Sequence, residues 1–357
     1  RIDAVEINPD VVERLDHFKT INNLIHEDPR VHIHTADARG FLTRSTDPFD
    51  LIVADLFHPH KDGAAFLFTE EHFLAARNRL SDRGVMVQWL PLYQMSPDTL
   101  KIILRTFLKV YPDAHAFIGI YNVRMPILAL VGNAGFPLKE TPLKARFASI
   151  PIHQRIFENL QDLYGSFLMP PEGIETFAGP GRLNRDLHPI VLFRPRVSLA
   201  DNAGPGHMAA LLPARTNMPE QIVRFSDPDI GVALKQYYTA AGFFLRGEVE
   251  WALEAGARPS RSALEWFFDA YRADASFSAA RGYLFNLARG HADYAEEIYP
   301  MMLKGRPDDP RVFESYLHHL RRTGQQRKFN EVKREAMRTM IDLGIMEPPD
   351  QSPNSAR

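Results

Sequence analysis

The chain has 357 residues, 45% of them hydrophobic, and its 42 basic and 44 acidic residues give a net charge of -2 with histidine neutral. That length points to two domains with ordinary globular cores, and the near-balance of charge gives no electrostatic reason to expect a nucleic-acid partner. With no cysteine in the chain, disulfides, thiolate-bound zinc and thiol nucleophiles are excluded.

Residues 1–135 alternate short apolar runs with amphipathic stretches, the pattern of a parallel sheet with crossover helices. The first strand is Ala4–Ile7, followed by Asn8-Pro9, a cap residue and a proline at the first helical position, which opens a helix to about Leu24. Asp28-Pro29 turns the chain into strand Val31–Thr35. Leu51–Ala54 is the next strand, with Asp55 just past its end. Thr69-Glu70-Glu71 opens a helix whose acids suit the positive end of the helix dipole. Gly84 precedes strand Val85–Trp89, Ser96-Pro97 caps a helix to about Val110, and Ala116–Tyr121 and Ile127–Val131 close the sheet.

Residues 136–200 form an extension with one helix, Ile152–Leu168, between loops marked by Pro170-Pro171 and Gly179-Pro180-Gly181. Residues 201–227, with the polar stretch Asp201–Gly206, read as a linker. Residues 228–345 are helical, with apolar residues at helical spacing in Val232–Leu245, Ala263–Tyr271, Ala279–Leu287 and Val312–Leu320. Asp308-Asp309-Pro310 followed by Val312–Arg322 and Phe329–Ile341 resembles a tetratricopeptide (TPR) helix pair; an irregular helical bundle is the alternative. Residues 346–357 read as a disordered tail. No run approaches the roughly 18 apolar residues of a membrane span. The start at Arg1, directly before a strand, reads as a cut from something longer.

Ligands of an open parallel sheet bind beyond the carboxyl ends of its strands. Glu6, Asp37 and Asp55 stand at three such ends. A carboxylate there accepts from both hydroxyls of a ribose, and a second accepts from an adenine amino group. Together the three point to an adenosyl ligand, with Asp55 facing the reacting centre. Gln88 and Tyr93 follow the strand Val85–Trp89 and are candidates for the acceptor side. His32 with His34, and His58 with His60 and Asp62, carry metal-ligating groups, but without cysteine or a helical His-x-x-x-His the reading is no metal.

In order and spacing, Val5-Glu6-Ile7-Asn8-Pro9, Asp28-Pro29-Arg30-Val31, Ala36-Asp37-Ala38 and Phe49 to Asp55 resemble the spermidine synthase (polyamine aminopropyltransferase) family. The likeness continues through Phe68-Thr69-Glu70-Glu71-His72-Phe73, Leu80 to Gly84, Gln88, and Phe107 to Pro112. It implies a Rossmann-type, S-adenosylmethionine-dependent methyltransferase-like α/β fold, here lacking its first strand and glycine-rich turn, followed by the all-helical TPR-like region. It further implies decarboxylated S-adenosylmethionine as co-substrate, a small-molecule amine acceptor, Glu6 on the ribose, Asp37 and Ala38 on the adenine side, and Asp55 as general base.

The family's second carboxylate in Asp-x-x-Asp-Pro is replaced by His58 in Asp55-Leu56-Phe57-His58-Pro59. A neutral imidazole still accepts a proton but anchors a dication less well, and Asp62 is the candidate to compensate. Leu183-Asn184-Arg185-Asp186-Leu187-His188-Pro189 resembles a segment of long, membrane-fused relatives. This implies a soluble segment at the cytoplasmic face of a protein anchored through an upstream region. The resemblance also implies a homodimer, and the helical tail suggests a protein partner. Without the central first strand, the strands on either side of it have no shared neighbour. The alternatives are a methyltransferase using intact S-adenosylmethionine, or a non-catalytic scaffold with a decayed nucleotide fold and a protein-binding tail.

Overall fold

The structure, a computed structural model, describes residues 1–22, 24–55, 58–61, 63–151, 154, 160–215, 219–225, 228–254 and 256–344. The chain divides into two compact units, Arg1–Lys139 with Phe167–Arg224, and Glu140–Ser166 with the chain from Phe225 onward.

The first unit holds the sheet. Strand β1 (Ile2–Glu6) pairs in parallel with β2 (Val31–Thr35). Strands β3 (Phe49–Ala54), β4 (Leu80–Pro91), β5 (His115–Ile118), β6 (Ile127–Gly132) and β8 (Phe167–Met169) form a second sheet in the order β3-β4-β6-β5-β8, and the short β7 (Leu138–Lys139) pairs with β9 (Val223–Arg224). Only β3 and β4 run parallel in the five-stranded sheet; the other pairs are antiparallel. The result is a mixed α/β unit with a Rossmann-like sheet. No ladder joins β1 to β3 among the described residues. On β3, Leu51 and Val53 are 57% and 53% exposed.

Local signals explain the helices that pack on this sheet. In α5 (Pro97–Val110) the Ser96 hydroxyl accepts from the Thr99 amide at 3.2 Å and proline occupies the first turn. Its apolar face, including Leu100, Ile103, Leu104 and Phe107, is buried. Phe107 meets the ring edge of Phe73 in α4 (Glu70–Arg77) at 5.1 Å and stacks on Tyr111 at 4.7 Å. Gly132 is required beside Tyr111, because a Cβ there would lie 2.6 Å from its ring.

Three elements depart from expectation. The helix expected from Asn8 to Leu24 is broken into α1 (Pro9–Glu13), a 3-10 turn at Leu15–Phe18 and α2 (Lys19–Asn22). None of these pieces has a buried residue, so no tertiary packing holds a long helix together. Of the helix expected at Ile152–Leu168, Gln161–Ser166 is helical (α7); residues 152–153 and 155–159 lie outside the described residues. Phe167–Met169 instead form β8 against β5, all three fully buried. The stretch read as a linker contains helix α9 (Ala203–Leu211), with Gly204, Pro205, His207 and Met208 buried. A Cβ on Gly204 would lie 2.6 Å from the Arg124 carbonyl oxygen. That glycine marks close packing, not slack chain. Also in this unit are α3 (Ala38–Arg44) and α8 (Pro171–Ala178).

The second unit is helical: α6 (Glu140–Ser149), α7, α10 (Pro228–Glu254), α11 (Arg261–Ala273), α12 (Ser278–Gly290), α13 (Ala292–Gly305), α14 (Pro310–Arg322) and α15 (Gln326–Asp342). Consecutive helices from α10 to α15 pack on one another. Rings fill the core: Phe244 lies 5.4 Å from Phe267 and 5.7 Å from Phe277. Helix α13 escaped the sequence reading because Pro300 stands inside it and interrupts the helical signal. Among the described residues no helix is long and apolar enough to cross a membrane.

Candidate functional site

Strands β1 and β2 run in register, Glu6 opposite Thr35, and the Ala36 amide donates to the Glu6 carbonyl at 3.0 Å. Parallel pairing sends both carboxyl ends out on one side, so Glu6 and the turn Ala36-Asp37-Ala38 leave the sheet together. In the other sheet Ala54 stands opposite Gln88 on the parallel β4, and Asp55 follows at once. Glu6, Ala38 and Asp55 thus line one cleft of about 450 Å³, whose apolar walls include Val5, Ala54 and Leu67. The same cleft runs between the unjoined edges of β1 and β3.

Each acid is held differently. Glu6 is half-buried and its Oε1 accepts from the Asn8 amide at 2.8 Å. Asp37 caps α3, its Oδ2 accepting from the Gly40 amide at 2.7 Å. It is exposed, and its neighbour Ala38 lines the cleft in its place. Asp55 is exposed at the cleft.

The remaining candidates lie away from the cleft lining. His58 is half-buried, hydrogen-bonded to Gln94, and its ring centroid is 6.0 Å from that of His60. Burial, then the charge of Lys61, depresses the His58 pKa against the raising effect of Gln94. His60 is depressed likewise by burial, His58, Arg196 and Lys61. Gln88 is fully buried; its Nε2 donates to the Trp89 carbonyl at 3.0 Å, and its Oε1 has no partner among the described residues. Tyr93 is half-buried in the 3-10 turn Leu92–Gln94. Asp62 lies outside the described residues. Of the two strand histidines, His34 engages Asp3 at 2.8 Å.

The sequence reading assigned no role to three residues at this end of the sheet. His72 lines the cleft from α4 yet is only 4% exposed, and its Nδ1 has no hydrogen-bond partner among the described residues. Burial, with the charge of Arg39, pushes its pKa down to about 4 against the opposing charges of Asp37 and Asp186. Arg39, on α3, donates to Asp186 at 2.6 Å. The segment Asn184–Asp186 is tied to α4 as well. The Glu70 amide donates to the Asn184 carbonyl at 2.9 Å, the Asp186 amide to Glu71 at 3.0 Å, and Arg185 pairs with Glu70 at 2.8 Å. The only sequence signal for these contacts was the Leu183–Pro189 motif.

Residues 1–127 match the family model described as the spermine/spermidine synthase domain. A polyamine aminopropyltransferase from a Synechococcus strain is 30% identical over 166 residues, 45% of this chain and 51% of the relative. One from Corynebacterium efficiens is 34% identical over 110 residues, 30% of this chain and 21% of the relative. The chain therefore spans about half of the first of these curated relatives and about a fifth of the second. Among solved structures, a probable spermidine synthase from Corynebacterium glutamicum is 18% identical with a TM-score of 0.36, covering 52% of this chain and 63% of that one. A spermidine synthase in complex with the transition state analogue AdoDATO is 22% identical with a TM-score of 0.34, covering 37% and 46%.

Proposed function

We propose that this chain, spermidine synthase-like over residues 1–127, contributes to a site that transfers an aminopropyl group from decarboxylated S-adenosylmethionine to a small amine. The observation that carries this reading is the meeting of Glu6 and Asp55, from the ends of strands in two separate sheets, on one cleft.

The residues present fit the donor. Glu6 and Asp55 bring two carboxylates to the same cleft. Val5 and Ala54 offer apolar walls to a purine, and the half-buried Glu6 carboxylate accepts from ribose hydroxyls. Asp37 and Ala38 mark the adenine side.

When bound, the donor supplies an electrophilic methylene beside a sulfonium sulfur. Asp55 attracts the incoming ammonium and takes its proton as general base. The freed nitrogen lone pair then forms the new C–N bond while the C–S bond breaks, its electrons passing to sulfur to leave a neutral thioether. A depressed pKa keeps His58 neutral near pH 7, able to accept a proton but adding no negative charge for a polyamine. The amine acceptor is accordingly less specified by these residues than the donor.

Calorimetric binding of decarboxylated and intact S-adenosylmethionine to the full-length protein, with turnover of wild type and Asp55→Asn, tests this. Preference for the decarboxylated donor is expected, with turnover of Asp55→Asn reduced by about 10²–10⁴ and donor affinity little changed. Preference for the intact donor, or binding of neither, would overturn the proposal.

A further inference from the structure

In the second unit a groove of about 790 Å³ runs between α12, α13 and α14, far in sequence from the strand ends described above. Phe285 and Ala288 from α12 and the buried Tyr299 from α13 give it an apolar and aromatic patch, beside Ser315, His318 and His319 of α14. Its rim carries Arg289 from α12 and Arg311 and Arg322 from α14, against the single carboxylate of Glu314.

The charges on this rim are not equally occupied. Arg311 lies 3.6 Å from Asp309. Glu296 of α13 is taken by His319 at 3.0 Å, by Gln325 and by Lys328. Arg289 and Arg322 are exposed and have no acidic partner among the described residues. Arg289 lies over the Phe285 ring, 5.7 Å from its centroid, a cation–π contact that holds the guanidinium plane at the groove. Both charges also act on the Tyr299 hydroxyl, opposing the burial that raises its pKa.

Arginines in the last turn of a helix are favourable for the helix itself, and α12 and α14 end at Gly290 and Arg322. That accounts for their sign. It does not account for two unpaired guanidiniums beside a shared aromatic patch. A small anion would be held by donors converging in an enclosed site, whereas this groove is open and presents Phe285 and Tyr299 between its arginines. Guanidinium forks match carboxylates in geometry, and an aromatic patch accepts an apolar side chain between them.

We propose that this groove binds an extended acidic peptide of a protein partner, its carboxylates on Arg289 and Arg322 and an apolar side chain on the patch of Phe285 and Tyr299. The inference is independent of the aminopropyl-transfer reading.

The test is fluorescence anisotropy on the full chain, using a fluorescein-labelled peptide of about a dozen residues in which Glu alternates with Leu, and its Lys-for-Glu counterpart. The acidic peptide is expected to bind, and to weaken with salt as exposed ion pairs do. Affinity should fall at least tenfold in Arg289→Glu/Arg322→Glu and stay within twofold in Arg327→Glu, an exposed arginine paired with Glu331 outside the groove. Circular dichroism of each variant checks that the fold is kept, and the single variant Arg322→Gln repeats the measurement should the double variant unfold. Failure of the acidic peptide to bind, equal binding by the groove variants, or preference for the lysine peptide would overturn the proposal. So would displacement of the acidic peptide by inorganic phosphate or single-stranded DNA at equal concentration.

Discussion

Arg39 donates to Asp186 at 2.6 Å and so ties the first helix after β2 to a loop 147 positions later. Both side chains are partly buried, at 27% and 33% exposure. Burial raises the Asp186 pKa, but hydrogen bonds from Arg39 and Thr69 and the Arg39 charge outweigh it, and the net shift is downward. The pair therefore stabilises the fold above the ordinary carboxylate range, and that contribution is lost as pH falls through the depressed value. A double-mutant cycle of Arg39→Met and Asp186→Asn, read by urea denaturation at pH 7, is expected to give a coupling of about 1 kcal/mol. Simple additivity would mean the contact is not formed in solution.

Two residues before Asp186, Asn184 is fully buried and connects three elements. Its amide donates to Thr106 Oγ1 at 2.9 Å and its Nδ2 to the Ala65 carbonyl at 2.9 Å, while its Oδ1 accepts from the Val191 amide at 3.2 Å. Asn184→Ala strands a buried carbonyl and a buried amide together, for an expected loss of about 2–4 kcal/mol in urea denaturation. Asn184→Asp keeps the acceptor for Val191 but turns a carboxylate towards the Ala65 oxygen, and is expected to cost more than the alanine. If the aspartate variant were the more stable of the two, this hydrogen-bond assignment would be wrong.

Such long-range contacts explain what was legible in the sequence and what was not. The strands β1, β2 and β3 and the acids at their ends were readable because each sits beside a local signal: Asn8-Pro9, Asp28-Pro29, and an apolar run ending in Asp55. His72 was not readable as a buried imidazole with a depressed pKa, since the charges that act on it, Arg39, Asp37 and Asp186, are not its neighbours in the chain. Helix α9 carries little helical signal in the sequence because Asp201–Gly206 is polar and glycine-bearing. The reason for Gly204, its approach to the Arg124 carbonyl, is visible only once the chain is folded. Local chemistry predicts elements; it does not predict which distant backbone they must accommodate.

His72 gives the first unit a pH dependence with a definite sign. Its pKa is depressed to about 4 in the folded chain, against about 6.5 unfolded. Between these values the unfolded chain binds a proton that the folded one refuses. The contribution is complete above about pH 6.5 and is lost as pH falls towards 4, at most about 3 kcal/mol in all. His115 and His207 are depressed by burial as well, so they share the direction. Urea midpoints at pH 8, 6 and 5 are expected to decline in wild type and to decline less steeply in His72→Phe. An unchanged slope would show that His72 is hydrated in the folded state.

Asp37 has an observed structural role, and substitutions at it separate that role from the proposed binding one. Its Oδ2 caps α3 through the Gly40 amide, and asparagine serves that purpose as well as aspartate does. Asp37→Asn is therefore expected to leave thermal stability unchanged while removing the negative charge. Asp37→Ala removes the cap too and is expected to cost about 1 kcal/mol of stability. If Asp37 meets the nucleoside, calorimetric affinity of the full-length protein for decarboxylated S-adenosylmethionine should fall in both variants, because a carboxylate accepts more strongly than an amide. Should affinity fall only in the alanine variant, in step with stability, Asp37 is a helix cap and the adenine contact belongs to another residue.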